Sequence, residues 1–293
     1  MKAKSWLLSL VGLFVLVGVG LLAYQMFIER QVEQRIAEEV SKLPSGVTVE
    51  YGEVDAGFLG EPLRINDIRL LMEGDAPVHI KQVEVIEYDR RNDPPNFLHA
   101  KASGIRRDLL VEDDPQMAAL RKLGYQQIRG SYEIKYRYQP ETRQFDLQEL
   151  RGELEGVGAA SLRMKLDNFE LQRADAATVN QLPEFELREL TLTYSDDSLV
   201  RKLIAEQAKT QGVSEAELMA AIEQQIDAQA RTLEDPFFSQ LAAELKAFIR
   251  EPGTLTLTAA PPQAVPVMEI IASALIRAAE LPKMLNISVK AGD

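Results

Sequence analysis

Leu63-Arg64-Ile65-Asn66-Asp67-Ile68-Arg69-Leu70 decides how this chain is read, because its apolar alternation is interrupted by the pair Asn66-Asp67 and then resumes. Three further segments follow the same template: Val78-His79-Ile80-Lys81-Gln82-Val83-Glu84-Val85, Phe145-Asp146-Leu147-Gln148-Glu149-Leu150-Arg151-Gly152 and Phe185-Glu186-Leu187-Arg188-Glu189-Leu190-Thr191-Leu192. Side chains on a strand alternate faces, so one extra polar residue would turn the second apolar half outward. A β-bulge or sharp bend absorbs the extra residue and keeps both halves on one face. The template therefore predicts bent strands in a bent, twisting sheet; the third copy degrades at Gly152.

Outward from these segments, Val47, Val49 and Tyr51 alternate with polar neighbours, as do Ile134-Lys135-Tyr136-Arg137-Tyr138 and Leu162-Arg163-Met164-Lys165-Leu166. Turn residues such as Gln139-Pro140-Glu141-Thr142 separate them. Residues 47–194 thus read as an antiparallel meander, interrupted by one helix that starts at Asp114-Pro115 and ends before Gly124. After Tyr194 the pattern turns helical. Asp197 or Ser198 can cap a helix running to Gly212, and Ser214-Glu215-Ala216-Glu217 is a capping box for the next. A third opens at Asp235-Pro236, and Phe237, Leu241, Leu245, Phe248 and Ile249 form its apolar stripe. Leu255-Thr256-Leu257-Thr258 and Leu285-Asn286-Ile287-Ser288-Val289 read as returning strands around a helix from about Val267 to Leu281.

The N-terminus has a different character. From Trp6 to Ile28 there is no charged side chain, and about 23 residues at 1.5 Å rise cover roughly 35 Å, enough to cross a bilayer core. Trp6, Leu7, Leu8, Phe14, Leu21, Leu22, Tyr24 and Phe27 are the expected anchor residues. A cleaved signal peptide has a shorter apolar region, about 7–15 residues, ended by small residues. Leu21-Leu22-Ala23 puts leucine where a small residue is wanted, so an uncleaved signal anchor is expected. Lys2 and Lys4 precede the run, while Glu29 and Arg30 cancel after it, so the N-terminus stays cytoplasmic and the rest is exported. Ile28, Val32, Ile36, Val40 and Leu43 carry a helical period as far as Pro44 and Gly46. The expected fold class is α+β: an N-terminal transmembrane helix, then a curved antiparallel β-sheet meander with a C-terminal helical segment packed on it. The expected divisions are 1–28 anchor, 29–46 juxtamembrane helix, 47–194 sheet and 195–293 helical region with returning strands.

Composition excludes several chemistries. Among 293 residues, 33 basic against 45 acidic side chains give a charge of −12, which disfavours a nucleic-acid partner. Cysteine is absent, which removes disulfides, thiolate metal sites and cysteine nucleophiles. His79 and His99 form no H-E-x-x-H pair or visible triad, and no G-x-S-x-G elbow or Walker loop occurs. Gly156-Val157-Gly158 leads into a strand and reads as a turn. Glu112-Asp113-Asp114 and Asp196-Asp197 could hold calcium, but each precedes a helix whose amides they suit. Tyr132, Tyr136 and Tyr138 lack the basic groove that a stacking platform for single strands needs. No catalytic residue, cofactor site or metal site is expected, and the chain reads as not an enzyme.

The uncharged run up to Ile28, the Val47-Thr48-Val49-Glu50-Tyr51-Gly52 strand, the Leu63-Arg64-Ile65-Asn66-Asp67-Ile68 template and Leu187-Arg188-Glu189-Leu190-Thr191-Leu192-Thr193-Tyr194 leading into Leu199-Val200-Arg201 together carry a resemblance. The chain resembles bacterial envelope proteins of the YdgA type, whose function is unknown, and more loosely the AsmA-like superfamily. That resemblance implies a single-pass inner-membrane protein with its bulk in the periplasm and a role in envelope lipid handling or assembly. The chain is much shorter than the large bridging AsmA-like members, so it should not span a periplasm alone.

Three functions are carried forward. The first is a non-enzymatic membrane-anchored protein that binds a lipid, acyl chain or hydrophobic partner in envelope maintenance or assembly. Met268, Ile270, Ile271, Leu275 and Ile276, set between Pro262, Pro266 and Pro282, are the expected lid of its apolar groove. The second is a passive scaffold for other envelope proteins, docked through the helices after Tyr194. The third is an exported hydrolase built from carboxylates that meet only in the fold.

Overall fold

The computed structural model describes residues 46–55, 62–72, 76–89, 91–92, 94–109, 115–171, 184–233 and 235–292. Among them, hydrogen bonding orders a twelve-stranded sheet as β1-β3-β4-β5-β6-β7-β8-β9-β10-β12, with β2 on β3 and β11 on β9. The strands are β1 (Val47–Glu50), β2 (Val54–Asp55), β3 (Leu63–Met72), β4 (Val78–Tyr88), β5 (Phe97–Asp108), β6 (Gln127–Gln139), β7 (Gln144–Leu154), β8 (Gly158–Asp167), β9 (Glu186–Asp196), β10 (Thr254–Ala259), β11 (Val265–Pro266) and β12 (Ile287–Gly292). The helices are α1 (Pro115–Lys122), α2 (Leu199–Gln211), α3 (Glu215–Arg231), α4 (Pro236–Arg250), α5 (Val267–Ile276) and the single turn α6 (Leu281–Met284). The chain divides into two compact units, Met1–Lys135 and Tyr136–Asp293.

In the first unit the template residues share the buried face. Leu63 and Ile68 are 1% exposed and Ile65 is 0%, each contributing about 1.5–3 kcal/mol by leaving water. The extra residue is absorbed by several strands together. Asn66 pairs with Gln82 and Ile68 with Ile80, leaving Asp67 and Lys81 outside the ladder; Ile80 pairs with Ile105 and Gln82 with Ser103, leaving Lys81 and Gly104 outside it. Asp67 and Gly104 take left-handed backbone, φ 54 and 62. Gly52 continues the same line, donating its N–H to the Asn66 carbonyl at 3.0 Å. One bend thus crosses the chain at Gly52, Asp67, Lys81 and Gly104. A second irregularity leaves Ile86 unmatched between Val85 and Glu87.

The second unit uses bulges in single strands. Between Leu147 and Leu150 of β7, Gln148 and Glu149 oppose only Arg163, and Arg188 of β9 stands unmatched between the Lys165–Glu189 and Leu166–Leu187 pairs. Leu187 and Leu190 therefore face the same side despite their odd separation. Helices α2, α3 and α4 make a small cluster of their own around Ile204, Ala208 and Leu218, with Ile249 against it. The capping box at Ser214 is formed, and Asp235 accepts from Phe237 N at the start of α4. Ser198 caps nothing with its side chain. Instead Asp196 accepts from Val200 N at 3.0 Å and from the Tyr194 hydroxyl at 2.7 Å.

The α+β expectation is corrected by this architecture. The chain is mostly one large antiparallel sheet with a few helices: the expected returning strands add β10 and β11 to β9, and β12 to β10. Among the described residues no helix is long and apolar enough to cross a membrane. The expected anchor residues Trp6, Leu7, Leu8, Phe14, Leu21, Leu22, Tyr24 and Phe27 and the juxtamembrane stretch up to residue 45 lie outside the described residues, as does Glu112-Asp113-Asp114.

Candidate functional site

Strand register in the second unit builds an apolar face row by row. Phe145, Leu166 and Leu187 form one row; Leu147, Met164, Leu190, Ala259 and Ile287 the next; Leu150, Leu162, Leu192, Leu257 and Val289 a third. A fourth passes through Gly152, Ala160, Tyr194, Leu255 and Ala291. The first two rows are covered where Leu166, Leu187, Ala259 and Leu285 pack with Ile270 of α5 and with Leu281 and Met284 of α6. The fourth is covered at Tyr194, whose ring meets Phe248 of α4 edge-on at 6.1 Å.

Between these covers the third row is only partly covered and opens at Leu192. Leu192 is 45% exposed, while Val289 at the far end of the row is buried. Leu150, Leu162 and Leu257 beside it are only half-buried, and Ala160 is exposed. With strands about 4.8 Å apart, this row runs roughly 14 Å from β7 to β10, across the strands. This leucine strip has the chemistry of an acyl-chain or apolar-peptide seat and carries no group for catalysis.

The opposite face is polar and internally paired. Lys165 reaches Glu189 at 2.7 Å and Arg163 reaches Glu149 at 2.8 Å, and Arg188 bonds Asp167. A cleft of about 330 Å³ here is lined by Asp146, Gln148, Arg163, Lys165, Glu189 and Thr191. The register places Lys165 between Asp146 and Glu189, so these carboxylates face a cation rather than each other. Contact with Glu189 holds the Lys165 ammonium above its ordinary value.

Each residue singled out in the sequence can now be placed. His99 lies 2.8 Å from Glu133, which also holds Lys101 at 3.3 Å. Burial alone would raise the Glu133 carboxyl, but the bonds from His99 and Lys101 bring it below its ordinary value. His79 stands on β4 opposite Arg69 and Arg106, away from that pair. Tyr136 and Tyr138 pack on Phe145 and Phe169 in an aromatic cluster that extends to Phe185, while burial raises the Tyr132 hydroxyl. Gly156 lies in the turn between β7 and β8, and Gly158 opens β8. Of the expected lid, Ile270 alone packs on the covered rows. Met268, Ile271, Leu275 and Ile276 are exposed by 46, 43, 83 and 79%.

The leucine strip was not singled out in the sequence. Leu192 belongs to a template copy and looks like any other inward residue; the covering contacts of α4 and α5 fall on the rows to either side of it. A family model described only as an uncharacterized protein matches residues 151–292, a stretch that includes Leu162, Leu192, Leu257 and all of α5. No curated protein matches the chain.

Proposed function

We propose that this is a non-enzymatic protein, held at a membrane by its uncharged Trp6–Ile28 run, that binds a lipid-like acyl chain on the leucine strip. The observation that supports this reading is the exposed Leu192 among the half-buried Leu150, Leu162 and Leu257, a partly covered apolar row between two covered regions. The resemblance to YdgA-type envelope proteins favours a bacterial inner-membrane location, with the N-terminus cytoplasmic and the bulk periplasmic. It also favours a role in envelope maintenance or assembly. The scaffold reading draws on a different observation, the exposed Leu203, Val213 and Leu233 of the helical stretch.

Mass spectrometry of lipids retained by the full chain in mild detergent tests the proposal, with Leu192→Asp as the comparison. The wild type should carry a lipid, and the variant should lose it at least about tenfold, since a charge on an apolar seat disfavours occupancy. Leu192 is already exposed, so near-UV circular dichroism should be unchanged. If the wild type carries no lipid and takes up no fluorescent fatty acid saturably, the acyl-chain reading fails and the scaffold reading replaces it.

A further inference from the structure

Helix α5 is built inside out. Its buried side chain is Ser273, at 3% exposure, while Leu275 and Ile276 stand 83 and 79% exposed and Met268 and Ile271 nearly half. Positions 268, 271, 272 and 275 recur at helical spacing, so Met268, Ile271, Ala272 and Leu275 form one outward stripe, and Ile276 extends it. Val267, Ile270 and Ser273 turn the other way, and Ile270 meets the covered rows of the sheet. The helix thus leaves Met268, Ile271, Ala272, Leu275 and Ile276 to solvent, while Ser273 joins Val267 and Ile270 on the inward side. Exposure also rises along the helix, so the apolar surface culminates at its C-terminal tip. There Arg277, in an ion pair with Glu280 at 3.1 Å, closes it with charge.

The geometry points to α5 as a membrane-docking tip whose Leu275 and Ile276 enter the headgroup and acyl boundary of a bilayer. Its outward apolar area is on the order of 500 Å², short of the ~800 Å² per partner of a stable protein interface. A second copy of the chain would need more surface than the stripe supplies. A protruding tip with a charged collar instead suits a fluid apolar phase, which requires no shaped counterpart. The neighbouring charges cancel, Glu269 and Glu280 against Arg277 and Lys283, and the whole chain carries −12. Docking therefore needs no anionic lipid and is insensitive to salt. The apolar run Trp6–Ile28 in the same chain supplies the bilayer. This inference rests on the membrane-held part of the proposed function and is independent of the leucine strip.

The absence of cysteine allows a single reporter. The full chain carrying Ala272→Cys, labelled with an environment-sensitive fluorophore, is reconstituted into phosphatidylcholine vesicles with or without brominated acyl chains. Lys209→Cys on α2, an exposed position, serves as the control. The label at 272 should lose about half its emission to bromine, at the ~5–10 Å depth of an interfacial helix, and the control label should lose almost none. Quenching should survive high salt and vanish with Leu275→Asp and Ile276→Asp together, which touch only exposed positions. A chain that floats with vesicles but keeps full emission at 272 overturns the docking tip alone. Unquenched emission with cross-linking between copies at 272 overturns it in favour of self-association. A chain that does not float with vesicles overturns the membrane-held reading as well.

Discussion

Replacing Gly104 by alanine should expose how the bend of the first unit is held. Gly104 has φ +62, and a Cβ there would stand 2.5 Å from the Lys81 Cβ on the adjacent strand. Left-handed backbone costs an ordinary residue about 1–2 kcal/mol. Forcing a methyl into a space well under van der Waals contact adds about 1–3 kcal/mol. Against this, alanine stiffens the unfolded chain and returns about 0.4–1 kcal/mol. The expected net loss is about 2–4 kcal/mol, read as a lower urea midpoint at unchanged slope by circular dichroism on the full chain in mild detergent. Gly124 supplies the control, because it also has positive φ, +84, but a Cβ there meets nothing within 4 Å. Gly124→Ala should cost only the conformational part, about 1 kcal/mol. Adding Lys81→Gly to Gly104→Ala removes the collision, and the pair should show about 1–3 kcal/mol of favourable coupling. Equal losses at 104 and 124, with no coupling to 81, would refute the close approach of β4 and β5 as the basis of the bend.

Three further outcomes follow from particular contacts. Ile65→Asp places a carboxylate at a fully buried position and should cost several kcal/mol, ~3 or more. Arg69→Asp removes only a half-exposed pair with Glu50 and should cost under ~1 kcal/mol, so equal urea midpoints for the two would contradict the assigned faces. Burial would raise the Asp89 carboxyl, but bonds from Arg91 N, the Asn92 side chain and Asn96 N hold it below its ordinary value. Its contribution is therefore complete above the unfolded carboxylate value and is lost as pH falls through the lower folded one. Asp89→Asn should flatten the acid limb of a stability profile below about pH 4, and an unaltered limb would remove Asp89 as its source. A reporter enzyme fused after residue 293 should work only in its exported form, as Lys2 and Lys4 require, and cytoplasmic activity would reverse the proposed orientation.

Much of the sheet was legible because its signal is local. The odd spacing from Ile65 to Ile68 demands that something absorb one residue, and Asp67, with its tolerance of left-handed backbone, sits at that point. The capping box at Ser214 and the Asp235-Pro236 start are likewise set by neighbouring atoms. The fold class was misjudged because strand pairing is not local. Leu255-Thr256-Leu257-Thr258 is a short alternating run whose partners, Tyr194 and Thr193 on one side and Ala291 and Lys290 on the other, are distant in sequence. The run reads as a strand returning to the sheet, but nothing in it says that β9, β10 and β12 continue a single twelve-stranded order. The exchange of roles between Asp196 and Ser198 was hidden for the same reason, since the Ser198 hydroxyl is taken by the Gly156 carbonyl of a distant turn.

The candidate site shows where periodicity stops being informative. Leu63, Ile65, Ile68 and Leu70 in the first unit and Leu187, Leu190 and Leu192 in the second obey one pattern, with one interruption that neighbouring strands absorb together in the first and a single-strand bulge absorbs in the second. The first four are all at most 2% exposed, whereas exposure rises from 7% at Leu187 to 45% at Leu192. A strand's pattern states which residues share a face; it carries no information about what lies over that face. A single exposed leucine means little on any surface. Here, though, register sets Leu192 among Leu150, Leu162 and Leu257, between a covered cluster and a stacked Tyr194–Phe248 pair. Helix α5 extends the point, because its period defines two faces but cannot say which is inward. The interior took the side with Ser273 and left Leu275 and Ile276 outside. The exposed residues of α5 and the partly covered Leu192 row are the apolar surfaces on which the proposed lipid contacts rest.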